Sequence, residues 1–319
     1  MRHGLARMMA GGAVLLMPVI PLITGAAAYW PAHAEDTMNA AMQDKRPIVH
    51  PDATKFGAYD PHGDFSTQGD LATEGLFLPW EDVDLATLRV ADNYAMQRNR
   101  KLLISIEPWS WNEDWRLTSD QLRVKVLAGE YDANIKAISA VVKELKSPVI
   151  IRWGQEMEDK SGRFSWSNWP ADDYIKAYKK VADQFRRDRP DVQVMWSPKG
   201  LEGLEAYYPG DDYVDLVGLS VFGLQPYDQK AYGMEKTFKE ALKPGYDRVA
   251  PFNKPIWVAE LGYEGDAKYM KPWIETATAK DEMFPDLKEV VYFNDRDVIA
   301  WPFGLGRPDW RVKRDTTTN

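Results

Sequence analysis

The sequence predicts a single (β/α)₈ barrel, an α/β fold, and two observations carry this prediction. Eight short apolar runs rich in β-branched residues alternate with stretches whose apolar residues recur at helical spacing. Several of these runs are followed by Asp, Glu or Asn, at the position where barrel strands present side chains to a site. A length of 319 residues with 45% hydrophobic residues suffices for one such domain.

Eight strands are predicted, each of them short and bounded by turn residues. They cover residues 55–59, 75–79, 101–106, 148–153, 192–196, 214–222, 255–259 and 289–293. An open, doubly wound sheet is the structural alternative. That fold normally has a glycine-rich phosphate-binding turn after its first strand, whereas this chain has DPHGDF there. The barrel is therefore favoured.

The helices between the strands are predicted from capping residues and apolar spacing. Thr118 or Ser119 opens a long helix that reaches about Leu145, and Asp172 or Asp173 opens the next one. The apolar face of this next helix carries Tyr174, Ala177, Val181 and Phe185. A further helix precedes the eighth strand.

The N-terminus has the pattern of a secretory signal peptide. Arg2 and Arg7 precede an apolar run from Met8 to Tyr29, and small residues predict cleavage after Ala34. We therefore expect a secreted or periplasmic protein. Because the apolar run is longer than a typical signal core, an uncleaved membrane anchor is the alternative. The predicted segments are the signal peptide at 1–34, an N-terminal arm at 35–54 and the barrel domain at 55–319.

Composition restricts the chemistry that this chain can perform. The absence of cysteine excludes disulfides, thiolate nucleophiles and Cys-ligated zinc. Only His50 and His62 follow the predicted cleavage site, which excludes a three-histidine metal site. Acid–base chemistry then falls to carboxylates. A net charge of −8 argues against binding nucleic acid or an anionic membrane, while 13 Trp and 15 Tyr suit the apolar face of a neutral sugar ring.

Two glutamates provide the strongest functional signal. Glu156 follows the fourth predicted strand and Glu260 follows the seventh, so both are placed at the carboxyl end of the barrel. Two such carboxylates can cleave a glycosidic bond, one as acid and one as nucleophile. Arg152, on the fourth strand, is a positive neighbour that would keep the attacking carboxylate ionised. The alternative is that both glutamates are surface residues at strand ends.

The segment IIRWGQEMEDKSGRFSW resembles the fourth-strand region of glycoside hydrolase family 26, which contains retaining β-mannanases and β-glucanases. The match falls on Arg152, Glu156, Met157 and Trp166. The later blocks MWSPKG, YYPGDDYVDLVGLSVFG, IWVAELG and VYFN are also similar, so that the resemblance covers roughly 55–312. It implies a (β/α)₈ fold, a general acid/base at Glu156, a nucleophile at Glu260, no cofactor or metal, and a monomer acting on a polysaccharide or oligosaccharide.

The chain departs from the family pattern at three positions. Gln155 stands where the family usually has His, and it can hydrogen-bond a sugar hydroxyl but cannot carry charge. Ser220 and Phe222 stand where the sixth strand usually offers Asp and Tyr. If Phe222 replaces the hydroxyl that donates to the nucleophile, the lost bond is worth roughly 1–3 kcal/mol. These departures favour a glucan over a mannan.

Five tryptophans near strand ends are candidates for stacking on sugar rings, and at least two of them are expected to be structural instead. They are Trp109, Trp111, Trp115, Trp166 and Trp301. Trp301 is the strongest candidate, because related barrels often place a Trp after the eighth strand.

The remaining polar candidates have two interpretations each. His62 and Asp64 either bind sugar hydroxyls or cap a turn, and Glu107 either binds substrate or forms a buried salt bridge. Glu158 and Asp159 are expected to be solvated loop acids.

The resulting prediction is a retaining endo-β-glycanase. Its expected substrate is a β-1,4-linked or mixed-linkage β-1,3/1,4 polysaccharide, either a glucan or a mannan, and the cell's own exopolysaccharide is one candidate. Two rival predictions remain. A non-catalytic polysaccharide-binding barrel is favoured by Ser220 and Phe222. A membrane-anchored partner of a polysaccharide synthase is favoured by the long N-terminal apolar run.

Overall fold

The computed structural model describes residues 44–313, and within them eight parallel strands close into a barrel. Each strand pairs with the next along the chain, and the eighth pairs with the first. The strands are β1 Lys55–Tyr59, β2 Leu71–Pro79, β3 Lys101–Glu107, β4 Val149–Trp153, β5 Gln193–Trp196, β6 Leu216–Leu224, β7 Ile256–Glu264 and β8 Leu287–Phe293. The predicted (β/α)₈ barrel is confirmed.

Seven α-helices are described between these strands, and they cover the outside of the barrel. They are α1 Ala86–Gln97, α2 Ser119–Ala128, α3 Asp132–Val142, α4 Ala171–Asp188, α5 Gln225–Tyr232, α6 Phe238–Val249 and α7 Ala267–Thr276. Short 3₁₀ turns lie at Glu113–Trp115, Leu204–Tyr207, Asp211–Tyr213 and Ala250–Phe252.

The strands are buried on both faces, which explains why they read as continuous apolar runs in the sequence. Side chains that point inward form a compact plug, and side chains that point outward pack against the helices in a larger cluster. The plug consists of Leu103, Ile150, Met195, Leu216, Trp257, Ala259 and Val291. The barrel interior is therefore a packed core, and space for a ligand is left to its carboxyl end.

The predicted long helix from residue 118 to 145 is wrong as a single element. Thr118 caps α2 with a capping box, as expected, but α2 ends at Gly129, whose φ of 87° is left-handed. A second helix, α3, then begins at Asp132. By contrast, the apolar face predicted for the following helix is confirmed, since its four residues are all buried on α4.

The N-terminal arm is described from Asp44 onward and packs against the barrel. The Lys45 amide donates to the Val312 carbonyl (3.2 Å), and the Lys45 ammonium donates to the Asp309 carbonyl (2.8 Å). The Ile48 amide donates to the carbonyl of Ile274 on α7 (2.9 Å). The predicted signal peptide or anchor at 1–34 lies outside the described residues. Within 44–313 no helix combines the length and apolar character needed to cross a bilayer.

Candidate active site

The centre of the site is a buried arginine on β4. The Arg152 side chain is fully buried, and its guanidinium lies 2.6 Å from the Glu260 carboxylate on β7. Two serine hydroxyls fix the other nitrogens: Nε donates to Ser197 Oγ (2.8 Å) and Nη1 donates to Ser105 Oγ (3.2 Å). The planar guanidinium is thus held by β3, the residue after β5, and β7 at once. Arg152 therefore lies beside Glu260, where the sequence analysis places it.

The surroundings of the buried Glu260 side chain shift the pKa of its carboxyl in opposite directions. The residue is only 9% exposed, and this burial raises the pKa of its carboxyl above the ordinary value. Arg152 is the strongest group that lowers this pKa, and the charge of Glu156 raises it again. Glu156 and Glu260 therefore interact electrostatically, as two groups in one site must.

Glu156 lies in the turn after β4 and has a left-handed backbone with a φ of 56°. Gly154, two residues earlier, is also left-handed, with a φ of 59°. A left-handed non-glycine residue is uncommon, and here the Glu156 amide donates to the Ser197 carbonyl (2.8 Å), which holds the turn in place. The strained turn directs the Glu156 side chain to within 3.7 Å of Lys199.

Gln155 and Glu107 form a second buried polar group beside Glu156. Gln155 Nε2 donates to Glu107 Oε1 (3.2 Å), while the indoles of Trp109 and Trp111 donate to Glu107 Oε2 (3.0 and 2.8 Å). Glu107 forms no ion pair with any of residues 44–313, so the predicted buried salt bridge is wrong. Its role is to accept three hydrogen bonds and to orient Gln155 and the two tryptophans.

The prediction that Glu158 and Asp159 are solvated loop acids is wrong. Glu158 is 2% exposed, and its Oε1 accepts from the amides of Gly200 (2.8 Å) and Leu201 (3.0 Å). Asp159 is 4% exposed and pairs with Lys199 (2.7 Å). Burial raises the pKa of Glu158. The left-handed turn at Glu156 directs the following residues toward the protein interior. Glu158 and Asp159 therefore contact the loop after β5 and hold it in place.

We expect Glu158→Ala to lower the free energy of unfolding by about 1–3 kcal/mol, because it leaves two amides of the 200–201 loop without their acceptor. Urea unfolding monitored by tryptophan fluorescence measures this loss. Glu158→Gln keeps one acceptor oxygen and should lose less stability. Equal stability of Glu158→Ala and the unsubstituted protein would show that the carboxylate does not anchor the loop.

A cavity of about 800 Å³ opens beside Glu156, between the loops that follow β4, β5, β6 and β8. This volume is within the range of small-ligand sites. Glu156, Lys199, Ser220, Phe222 and Trp301 are among its lining residues. Glu260 does not line it, although Ser220, its partner in the β6–β7 register, does.

Trp301 is the predicted stacking residue that the structure places at the cavity. Its indole nitrogen donates to Asp297 Oδ2 (2.7 Å), and Asp297 also pairs with Arg163 (2.5 Å). Tyr227 and Trp310 contact the ring edge-on at centroid distances of 5.0 and 5.4 Å. The ring is therefore held in a fixed orientation at the wall of the cavity.

We expect Trp301→Ala to raise the KM for the polysaccharide that the sequence analysis predicts as substrate by about two- to tenfold, because the lost ring face is worth about 0.5–1.5 kcal/mol. Steady-state kinetics on a soluble β-glucan measures this change. Trp301→Phe keeps an aromatic face and should raise KM less. An unchanged KM in Trp301→Ala would exclude stacking on this ring.

Two of the five tryptophans are packing residues rather than binding ones. Trp166 is completely buried and Trp109 is 5% exposed, and their rings contact each other with centroids 4.7 Å apart. The predicted substrate-binding roles of Trp109 and Trp166 are therefore wrong for this structure. Trp111 and Trp115 are more than half exposed on the loop after β3.

His62 and Asp64 lie after β1 and do not line the cavity. The His62 ring lies 3.1 Å from an Asp295 oxygen, and Asp64 accepts from Asn294 Nδ2 (3.0 Å). The Asp64 amide donates to Asp60 Oδ1 (3.0 Å), so the capped turn is the interpretation that the structure favours for this segment.

Ser220 and Phe222 line the cavity, and neither of them donates a hydrogen bond to Glu260. Ser220 Oγ is buried and has no partner among residues 44–313. Phe222 packs on Trp310, with ring centroids 4.9 Å apart. Neither residue therefore provides a hydrogen bond to Glu260.

Sequence reasoning missed five residues that complete the site. Ser105 and Ser197 orient Arg152, Lys199 contacts Glu156, and Arg163 and Asp297 hold Trp301. Ser197 and Lys199 lie just after β5, and this position at the end of a strand is the sequence feature that could have identified them as site residues. The Arg163–Asp297 pair joins residues far apart in the chain and left no local signal.

Comparison with known proteins gives the relatives of this chain. The family model of glycosyl hydrolase family 26 matches residues 109–272, about half of the chain. A β-1,3-xylanase from an Alcaligenes species is 30% identical over 107 residues, 31% of this chain and 22% of that protein. Endoglucanase H of Acetivibrio thermocellus is 24% identical over 244 residues, 70% of this chain and 25% of that protein. The chain spans about a quarter of the length of these curated relatives.

Solved structures share the fold. The modular endo-β-1,4-mannanase of Cellulomonas fimi superposes with a TM-score of 0.58 at 15% identity, covering 82% of this chain and 67% of that chain. A family 26 β-mannanase from Bacteroides ovatus superposes with a TM-score of 0.51 at 18% identity, covering 81% and 83%. Together with the match of the family model over half of the chain, the barrel shows that this chain belongs to glycosyl hydrolase family 26.

Proposed function

We propose that this chain is a retaining endo-β-glycanase in which Glu260 is the nucleophile and Glu156 the general acid/base. The observation that carries the proposal is the asymmetric environment of the two carboxyls. Glu260 is paired with the buried Arg152 at 2.6 Å, whereas Glu156 faces the cavity. An arginine cannot lose its proton in a protein, so Arg152 favours the ionised form of Glu260 and opposes the burial that raises the pKa of this carboxyl.

In the first step the Glu260 carboxylate attacks the anomeric carbon while Glu156 donates its proton to the leaving oxygen. The glycosidic bond breaks and a covalent glycosyl ester forms on Glu260. In the second step Glu156 takes a proton from water, whose oxygen displaces Glu260. Arg152 balances the negative charge that returns to Glu260, and Ser197 and Ser105 hold the guanidinium in place.

The proposed substrate is a β-1,4-linked or mixed-linkage β-1,3/1,4 polysaccharide, with a glucan favoured over a mannan. The relatives include an endoglucanase, a β-1,3-xylanase and a mannan endo-1,4-β-mannosidase, so the family likeness supports a β-glycan without selecting the sugar. Gln155, Ser220 and Phe222 distinguish this site from the mannanase pattern. We also propose export of the protein as a monomer, which mass spectrometry of the mature N-terminus and light scattering would test.

We expect hydrolysis with retention of the anomeric configuration. Lichenan, β-mannan, xylan and hydroxyethylcellulose would be incubated with the protein, and the first product anomer followed by proton NMR. The β-anomer should appear first and mutarotate later. An initial α-anomer would indicate inversion and would remove the nucleophile role from Glu260.

The second candidate is a non-catalytic sugar-binding barrel. It is favoured because neither Ser220 nor Phe222 donates a hydrogen bond to Glu260. Binding of oligosaccharides without product on any of the four polysaccharides would support this candidate.

A further inference from the structure

One wall of the cavity beside Glu156 carries two positively charged side chains. Lys236 and Arg248 line it, at the ends of the segment that contains α6. Neither side chain has a carboxylate of residues 44–313 within ion-pairing distance. The Lys236 ammonium lies over the Tyr232 ring, 3.2 Å from its centroid, and Arg248 Nη1 donates to the carbonyls of Gly200 and Pro244 (3.2 and 3.0 Å). These contacts orient both cations without placing either of them in a direct ion pair.

The acidic residues of the cavity are engaged elsewhere or lie at its exposed edge. Asp159 and Glu156 face Lys199 at 2.7 and 3.7 Å. Asp228 is 3% exposed and accepts from the Tyr269 hydroxyl (2.7 Å) and the Lys236 amide (3.1 Å). Glu202 is exposed to solvent. Asp228 and Glu240 interact with the Lys236 charge at longer range, but no acid within residues 44–313 forms a direct ion pair with Lys236 or Arg248.

The same cavity has surfaces suited to a sugar ring. Tyr227 and Trp301 contact each other edge-on and both line it, together with Phe222. Ser220 also lines the cavity, although its hydroxyl oxygen is buried.

We propose that this cavity binds a carboxylate-bearing sugar, so that the polysaccharide accepted by the protein is acidic. The inference rests on the proposed function and names the substrate class of that site. Aromatic rings contact the sugar face, and Lys236 and Arg248, at the two ends of the wall, attract carboxylates of the polymer. Arginine matches the two oxygens of a carboxylate better than a neutral hydroxyl. The net charge of −8 would repel an acidic polymer, so local cations are required for its binding.

The test compares polymers with one backbone and different charge. Hydroxyethylcellulose is neutral, carboxymethylcellulose carries the carboxylate on a substituent, and β-1,4-glucuronan carries it in the sugar itself. Hydrolysis by the full chain and calorimetric binding to Glu260→Gln would be measured for each polymer. We expect at least one acidic polymer to be preferred over the neutral one. The double variant Lys236→Met/Arg248→Met should lower the acidic-to-neutral ratio about fivefold or more.

The control variant removes the same charges far from the cavity. Lys280→Met/Arg187→Met should leave the acidic-to-neutral ratio unchanged, since neither residue lines the cavity. The preference should also fall between about 10 mM and about 150 mM salt, as the Debye length shortens from about 30 Å to about 8 Å. Glu202→Gln should raise the ratio, because it removes an anion from the rim.

The outcomes separate this inference from the proposed function. Hydrolysis of the neutral polymer, with no acidic preference and no effect of the double variant, overturns the acidic substrate and leaves the glycanase in place. Binding of an acidic polymer that depends on Lys236 and Arg248, without hydrolysis of any polymer, supports the acidic ligand and overturns the glycanase. Absence of binding to both acidic polymers at low salt overturns the inference.

Discussion

Glu260→Gln is expected to lower kcat/KM by about 10⁴-fold or more, because an amide cannot form the glycosyl ester. The same change should lower the free energy of unfolding, because it leaves the fully buried Arg152 guanidinium without its counter-charge. Loss of activity under conditions in which urea unfolding shows the variant to be folded distinguishes loss of chemistry from loss of the fold. Initial rates on the best of the tested polysaccharides, together with urea unfolding, measure them.

The matched control is Glu205→Gln, at an exposed position in the turn after β5, which should keep full activity. Glu156→Gln should lose about 10²–10⁴-fold on a polysaccharide. It should lose much less on an aryl glycoside whose leaving group needs no proton. If Glu260→Gln retains activity within a few-fold of the unsubstituted protein, the nucleophile lies elsewhere.

Arg152→Met is expected to lower both stability and activity. Removing one partner of a buried ion pair costs about 3–5 kcal/mol, because Glu260 would remain buried without its counter-charge. Burial already raises the pKa of Glu260, and without Arg152 that pKa rises further. A group with a raised folded-state pKa stabilises the fold at low pH and loses this contribution as pH rises through that pKa. The destabilisation should therefore be larger at about pH 8 than at about pH 5.

Urea unfolding at the two pH values measures this difference, and the acidic limb of the kcat/KM profile should move to higher pH. Arg89→Met, which breaks the exposed pair with Glu144, should destabilise less and show no such pH dependence. In the double variant Arg152→Met/Glu260→Gln part of the lost stability should return. If the double variant is as unstable as Arg152→Met alone, the cost comes from packing and not from the unpaired charge.

The barrel and the placement of its acids could be predicted because the signals are local. A strand buried on both faces is an apolar run of about five residues, and eight such runs with helices between them allow few folds. Glu260 directly follows its apolar run and Glu156 follows its run after Gly154 and Gln155, so their position at the carboxyl end followed from the strand assignment. The predicted single helix from residue 118 to 145 was wrong because a glycine inside a helical pattern, here Gly129, can either be tolerated or end the helix.

The surroundings of the acids could not be predicted in the same way. Glu158 and Asp159 lie in a polar loop segment and looked solvated, yet the left-handed turn at Glu156 buries both of them. Trp166 and Phe164 stack within this same segment at 4.5 Å and close it from solvent. Whether a loop side chain is buried depends on the path of the loop, which short-range spacing does not encode.

The sequence by itself predicted the barrel and the position of Glu156 and Glu260 at its carboxyl end, because periodicity and strand ends are local properties of the chain. Only the tertiary structure decided that Ser105 and Ser197 hold Arg152 and that Lys199 pairs with Glu156. It also decided that Lys236 and Arg248 meet at one cavity. These pairings depend on the register of β4, β6 and β7 and on the loops that follow them. They join residues that are distant along the chain and become neighbours only when the barrel closes.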